Sequence, residues 1–391
     1  MFMITIIVLL AVSFMLVFYT MVGYPMILLL LGKFKKNKVE NYDKDYLPSV
    51  SYMIVAHNEE KVIKEKLENA ISLNYPTDKF EIIVASDFCT DNTNSIVKKF
   101  IEDHKDYSIY LYVTKEHKGK TNAQNEAKKI AKNEILVMTD ANSMFEKNAI
   151  HELVTPFSNK DIAYTCGKLV YVNDDDNDTS ASESLYWKLE LKMRKIESDY
   201  QTITAGNGSI YAVRTNDYYD IKLIDCHDSA FPYDFSLRKK RAIYCENAIS
   251  YEKAGENNSD EFKRKVRMNR TILNIFKDMW RPFNIFKYKW FSFFYFGHRT
   301  CRYLLWLNHL VFFICSILSI FYINIYFGAV LSALQVIALI LGILSIRFEL
   351  KPKLIRIAGY YFMTVLAQYK AVIRQMFGKS KPTWSKAEST R

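Results

Sequence analysis

Glu134-Ile-Leu-Val-Met-Thr-Asp140-Ala-Asn142 is a short apolar run that stops at a carboxylate and, two residues on, a side-chain amide. A run of this length bounded by polar residues reads as a buried strand. Ligands of an open parallel sheet gather outside the carboxyl ends of its strands, which is where Asp140 and Asn142 fall. Side chains two apart on an extended segment point the same way, so both are expected on one side. Each offers a hard oxygen, suited to Mg²⁺ or Mn²⁺ carrying a phosphate. The competing reading is an Asp-x-Asn turn that caps the next helix. The surrounding sequence has to decide between them.

The flanking pattern is strand, helix, strand, helix. Val50 to Ala56, Phe80 to Ser86, Ser108 to Val113 and Glu134 to Thr139 are apolar runs, with periodic helices between them such as Asn122 to Lys132. Such alternation predicts an α/β domain with a mostly parallel sheet covered on both faces. The acidic run Asp174 to Asp178 reads as a solvated loop, because the Gly and distal Glu of a calcium loop are missing.

Composition places this domain between membrane segments. The chain has 391 residues, 50% hydrophobic and 15% aromatic, with a net charge of +11. It is therefore not disordered. A basic balance fits anionic lipids or substrates. Nucleic acid is set aside, because no arginine-rich arm, zinc-finger spacing or RNA-binding aromatic motif appears. Cys89, Cys166, Cys226, Cys245, Cys301 and Cys315 form no C-x-x-C pair, which reads as reduced thiols in a cytosolic compartment.

Ile4 to Leu31 carries no charge, and about 20 apolar residues suffice to cross a bilayer. Lys33, Lys35, Lys36 and Lys38 follow it, so the positive-inside rule puts the N-terminus outside and the next segment in the cytoplasm. Leu304 to Tyr322 and Phe327 to Ile346 read as a membrane hairpin, and Asn284 to Tyr303, basic and aromatic, as a helix lying in the interface. Leu354 to Phe377 holds Arg356, Lys370 and Arg374, which favours an interfacial or re-entrant helix. The expected organisation is an anchor at 1–32, a cytosolic domain at 45–280, an interfacial segment at 284–303, and a hairpin with a basic tail at 304–391. That makes a multi-pass protein of the inner (plasma) membrane.

Polar residues cluster at the predicted strand ends: Asn58-Glu59-Glu60, then Asp87 with Asp91 and Thr93, then Lys118-Gly-Lys120-Thr-Asn122, then Asp140-Ala-Asn142. Asp91 and Asn122 have an ordinary alternative as helix caps. All four clusters on one sheet edge describe a pocket for a nucleotide diphosphate. Asp87 would accept from a base N–H, Lys120 would meet a phosphate or base oxygen, and Asp140 would hold a metal on the diphosphate.

These residues resemble glycosyltransferase family 2. The resemblance rests on Ala56-x-Asn58-Glu59-Glu60, Ser86-Asp87-x-x-Thr90-Asp91-x-Thr93, Lys120-x-x-Ala123-x-Asn125 and Thr139-Asp140-Ala141-Asn142, over roughly 49–270, with Gly23-Tyr24-Pro25 adding to it. It implies a GT-A-like nucleotide-binding domain flanked by one N-terminal and two or three C-terminal transmembrane helices. It also implies an inverting transfer of sugar from a nucleotide-sugar donor, with UDP expected, and Mg²⁺ or Mn²⁺ as cofactor. Ala56, Asn58, Glu59, Asp87, Lys120 and Asp140 would line the donor pocket. Asp140 and Asn142 would hold the metal, although the family usually has Asp where Asn142 stands. The family's catalytic base lies in an acidic pair before F-x-x-P. Here His227-Asp228-Ser-Ala-Phe-Pro232 precedes Arg241-Ala-Ile-Tyr244, which assigns Asp228 as base with His227 in place of the first acid. Asp234 is the second choice. Gly206-Asn207-Gly208 would border the acceptor, or merely turn tightly. Ser182 to Ser198, with Tyr186, Trp187, Glu190 and Arg194, looks like a helix over the acceptor cleft, its aromatic stripe reading more as core than as a sugar platform.

Processive relatives carry Q-x-x-R-W. Arg264-Lys-Val-Arg267-Met268 supplies the phosphate-binding Arg as Arg267 but lacks the Gln and Trp. The same stretch also reads as a basic helix on the membrane surface. The leading expectation is a membrane-anchored glycosyltransferase with a lipid-linked or glycan acceptor, in contact with membrane lipids. A processive polysaccharide synthase and a non-catalytic scaffold or export partner remain as alternatives.

Overall fold

The computed structural model describes residues 1–34, 42–172, 178–253, 258–278, 280–348 and 352–383. The chain divides into two compact units. One comprises Met1–Lys35, Asp175–Leu189 and Gly255–Ser380, the other Lys36–Asp174, Glu190–Ala254 and Lys381–Arg391.

The N-terminal stretch is helical throughout: α1 (Phe2–Phe18), a π-helical turn at Tyr19–Gly23, and α2 (Tyr24–Phe34). Pro25 explains the widened turn, since its ring crowds the carbonyl four residues back, at Met21. The 33 residues rise about 50 Å at 1.5 Å each, more than the roughly 30 Å of a bilayer core.

The sheet unit runs β1 (Val50–Ala56), α3 (Ile63–Ile71), β2 (Phe80–Ser86), α4 (Thr93–Asp103), β3 (Ser108–Val113), α5 (Lys120–Ala127), β4 (Ile135–Asp140), β5 (Met144–Phe145) and α6 (Ala149–Val154). It continues through β6 (Ile162–Tyr171), α7 (Asp178–Tyr200), β7 (Ile210–Arg214), α8 (His227–Leu237) and β8 (Arg241–Glu252). Helix α7 passes from one unit to the other. The strand order is β3-β2-β1-β4-β7-β6-β8-β5. The first four strands are parallel, as expected from the sequence. The other half is mixed: β7 runs antiparallel to β4 and β6, β6 parallels β8, and β5 opposes β8.

Strand β1 alternates its side chains between two cores. Tyr52 and Ile54 pack with Ile63, Leu67, Val97 and Phe100 of α3 and α4. Met53 and Val55 pack with Ala123 and Ala127 of α5 and Phe231 and Phe235 of α8. Both faces are thus covered, which is why these strands read as continuous apolar runs.

The remaining helices are α9 (Asn258–Met268), α10 (Ile275–Asp278), α11 (Ile285–Tyr288), α12 (Trp290–Phe294), α13 (Cys301–Tyr303), α14 (Leu305–Tyr322), α15 (Ile325–Arg347) and α16 (Lys353–Met376). Phe2–Phe34, Leu305–Tyr322 and Ile325–Arg347 are long and apolar enough to cross a membrane. Between α14 and α15, Asn324 caps the second helix by accepting from Phe327 N at 3.1 Å. The expected interfacial helix over Asn284–Tyr303 is instead a broken series. Lys289 adopts φ 54 between α11 and α12, and a π turn over Tyr295–Thr300 precedes α13. In that turn, a Cβ on Gly297 would fall on the Tyr24 ring. Helix α16 is unbroken, and its Ala367, Ala371 and Val372 pack on Val266 and Ile272. None of the six cysteines forms a disulfide. The acidic run 174–178 lies outside the described residues up to Asp178, the first residue of α7.

The register of β6 against β8 shifts between Cys166 and Lys168. There a Cβ on Gly167 would fall on the Ala248 carbonyl oxygen and 2.7 Å from Ile210 Cδ1. Gly167→Ala is expected to destabilise the sheet unit by about 1–3 kcal/mol through overpacking, read as a lowered unfolding midpoint in detergent. An unchanged midpoint would show that the bulge absorbs the methyl.

Candidate active site

Parallel pairing brings three strand ends together. Ala56 is level with Ser86, and Val55 with Asp140, so the residues just past β1, β2 and β4 share one edge. Adjacent strands lie about 4.8 Å apart. The loop after β3 returns to the same edge, where Lys118 N and Gly119 N donate to the Asp87 carboxylate at 3.2 and 2.9 Å. Gly119 precedes α5 at φ 98, a conformation that favours glycine.

Asp87 is fully buried. His117 Nδ1 lies 2.8 Å from its Oδ2, and His57 Nδ1 lies 2.7 Å from its backbone carbonyl. The two imidazoles stack with centroids 3.9 Å apart. Asn58 and Glu60 brace the loop after β2: Asn58 Oδ1 accepts from Thr90 N at 2.7 Å, and Glu60 Oε2 from Asn92 Nδ2 at 2.9 Å. Glu59 is buried, its N–H donating to Thr93 Oγ1 at 2.8 Å. Asp91 accepts from Thr93 N at 3.0 Å at the start of α4, the capping role open to it in the sequence. Asn122 lies inside α5, which begins at Lys120, so it caps nothing.

Strand β4 ends at Asp140, and Ser143 N closes a turn onto the Asp140 carbonyl at 3.2 Å. Asn142 therefore lies in a turn, and the two-residue alternation of a strand does not place it beside Asp140. The turn leads into β5, not into a helix. Lys120 Nζ pairs with Asp140 Oδ1 and donates to the Gly208 carbonyl at 2.9 Å. A Cβ on Gly208 would lie 3.5 Å from Lys120 Nζ and 3.6 Å from Asp228 Oδ2, so the lysine and Asp228 converge on this glycine. Gly206 N donates to the Asp228 carbonyl at 2.7 Å. A Cβ on Gly206 would collide with the Tyr164 hydroxyl. Asn207, also buried, accepts from Ser209 N at 3.1 Å.

The first turn of α8 is fixed from below. His227 is buried, its Nε2 2.8 Å from Tyr218 Oη and 3.1 Å from Asn125 Oδ1. Asn125 Nδ2 also donates to the Ile221 carbonyl at 3.0 Å. His227 thus anchors the helix that presents Asp228. Asp234 lies further along α8, bound to Arg238 at 2.7 Å. Glu190 and Arg194 of α7 form a buried pair at 3.7 Å, while the Tyr186 side chain lies outside the described residues. Arg267 is exposed on α9, in the other unit.

Residues 51–241 match the model for "Glycosyl transferase family 2". That stretch is a family 2 glycosyltransferase domain. Among family 2 relatives, "Probable glycosyltransferase YdaM" of Bacillus subtilis is 37% identical over 131 residues, 32% of this chain and 31% of that one. "Poly-beta-1,6-N-acetyl-D-glucosamine synthase" of Staphylococcus aureus is 28% identical over 125 residues, 32% of this chain and 29% of that one. The chain thus matches less than a third of the length of these curated relatives. The solved mannosyltransferase PcManGT of Pyrobaculum calidifontis, in complex with GDP-Man and Mn²⁺, aligns over 95% of this chain and 99% of its own at TM-score 0.66 and 19% identity. The two share a fold.

Three features of this site escaped the sequence reading. His57 and His117 form with Asp87 a group of donor atoms within 4.8 Å of one another. A lone His carries no such signal in sequence. Lys66, on the amphipathic helix α3, is fully buried beneath the Asp140 turn. It donates to Thr139 Oγ1 at 3.2 Å and to the Ser143 carbonyl, and burial pushes its pKa down to about 7. Glu252 ends β8, a strand that the sequence pattern did not reveal.

Burial, with the Lys120 charge, holds His227 near pKa 3, below its ordinary 6.5. Between those values the unfolded chain binds the extra proton, so stability falls as pH drops below about 6.5, by up to about 1.4 kcal/mol per pH unit. Denaturation of wild type and His227→Gln from pH 7 to 4 is expected to show the wild type losing stability more steeply. Parallel slopes would mean that His227 takes up its proton equally in the folded and unfolded states.

Proposed function

We propose that this protein is a membrane-anchored inverting glycosyltransferase, moving a sugar from a nucleotide-diphosphate sugar to a lipid-linked or glycan acceptor. The convergence of Asp140, Lys120 and Asp228 around Gly208, at the carboxyl edge of four parallel strands, carries this reading. Basic residues after the first span favour a cytosolic domain at the inner membrane. Asp87, with the stacked His57 and His117 beside it, would receive the base of the nucleotide, UDP by preference. Lys120, with its ammonium already at the strand edge, would meet the diphosphate.

The donor set fits a divalent cation. Asp140 would supply one hard oxygen, Asn142 in the turn just after it would supply another, and the Asp140 carboxylate already holds a positive group in Lys120. The His57–Asp87–His117 group fits less well, because the Asp87 oxygens are engaged by Lys118 N and Gly119 N. A bound Mg²⁺ or Mn²⁺ would offset the charge of the departing nucleotide diphosphate. The acceptor hydroxyl is a weak nucleophile, so Asp228 would take its proton as the new glycosidic bond forms and the bond to the diphosphate breaks on the opposite face. Gly206-Asn207-Gly208 would leave room for the acceptor at that carboxylate.

Asp228→Asn is expected to lower sugar transfer by roughly 10²- to 10⁴-fold, and Asp140→Ala to lower it comparably. The assay is release of nucleotide diphosphate from a panel of donors, with protein in native membranes. Transfer at the original rate in both variants would sink the reading. Similarity to the poly-N-acetylglucosamine synthase keeps processive synthesis as a second reading. A ladder of long products from purified protein would establish it, and single additions would exclude it.

A further inference from the structure

Strand β8 lies between β6 and β5 in the sheet, so its last residue is fixed from both sides. Tyr171 of β6 is level with Glu252, and Val172 N donates to the Glu252 carbonyl at 2.9 Å. On the other side, Phe145 is level with Ser250 and Met144 with Tyr251. Continuing that antiparallel register by one residue puts Glu252 opposite Ser143, beside the Asp140-Ala-Asn142 turn. The backbone thus delivers a second acid to the edge where Asn142 offers no charge.

The carboxylate is unusually placed. Glu252 Oε1 is buried and has no hydrogen-bond partner among the described residues. A buried carboxylate oxygen left unpaired is costly, and such groups call for a reason. The groups around it identify one. The Asp140 charge, after burial itself, pushes the Glu252 pKa up, while the hydroxyls of Ser209 and Ser143 and the charge of Lys120 pull it down. Lys66 feels the charges of both acids from beneath the turn. Two mutually repelling carboxylates with an open lone pair between two lysines form a site that a divalent cation completes.

We propose that Glu252 is an oxygen ligand of the divalent cation held at Asp140 and Asn142, supplying the negative charge that Asn142 lacks. This inference rests on the reading of the Asp140 edge as the cation site. It explains how a strand end with one acid holds a doubly charged ion: the second acid comes from a different strand, with no sequence proximity to the first.

Binding of Mn²⁺ tests it directly, on the full chain in detergent without nucleotide, by loss of the electron paramagnetic resonance signal of free Mn²⁺. Glu252→Gln is expected to weaken Mn²⁺ binding at least tenfold, and Glu252→Asp to give an intermediate loss. Asn142→Asp is expected to strengthen binding more in the Glu252→Gln background than in the wild type, because the new carboxylate replaces the missing one. Wild-type affinity in Glu252→Gln, with binding lost in Asp140→Asn, would overturn the inference and leave the proposed cation site standing. Wild-type affinity in Asp140→Asn would overturn both. Where Glu252→Gln does not fold, Glu252→Asp carries the test, and an affinity equal to wild type there rejects the ligand.

Discussion

The site depends on one constraint: β1 is buried along its whole length between two parallel neighbours. All seven of its residues are buried, as are all seven of β2. A strand enclosed in this way cannot slip by one residue without exchanging its two cores. The register is therefore fixed, and with it the level at which β1, β2 and β4 stop. Asp87, His57 and Asp140 stand near one another because the strands beneath them end together. Their chemistry does not gather them. A second fixture, the contact of Asn125 with Tyr218 and His227, ties α5 to α8 and so sets Lys120 and Asp228 over the same edge.

What could be read in the sequence follows from that burial. Strands enclosed on both faces are apolar almost throughout, and β1 and β2 begin and end where the apolar runs do. The other half of the sheet was hidden because its strands are specified by distant pairing. Strand β8 is held by β6 through two register shifts and by a two-residue β5, and neither leaves a local pattern. The same limit governs the site. Asp87, Lys120, Asp140 and Asp228 sit in recognisable motifs, while Lys66 and Glu252 act through the fold alone. The alternation argument for Asn142 failed for a simpler reason, since the strand ends at Asp140 and the chain turns. His227 occupies an acid's place in the motif but carries a different load, bracing α8 as a neutral ring.

Lys120 brings an ammonium to Asp140, and Lys66 brings a buried amine, its pKa pushed down to about 7, to the same cluster with Asp140 and Glu252. A buried lysine under such a turn is tolerated where carboxylates stand near it or where it gives up its proton. In the proposed donor complex, such a mixed-charge edge would take up an anionic diphosphate and a cation together with less charge imbalance than a strand end with two acids and no lysines.

Gly206 and Tyr164 have a consequence for how this protein can change over time. The Tyr164 ring is fully buried, and its hydroxyl fills the space that any side chain at 206 would need. The two positions are therefore sterically coupled. A lineage can enlarge residue 206 only after residue 164 has shrunk, and the intermediate with both small carries a void in the core. That ordering narrows the paths by which the segment next to Asp228 can drift, and it channels variation in this part of the molecule toward residues outside the pair.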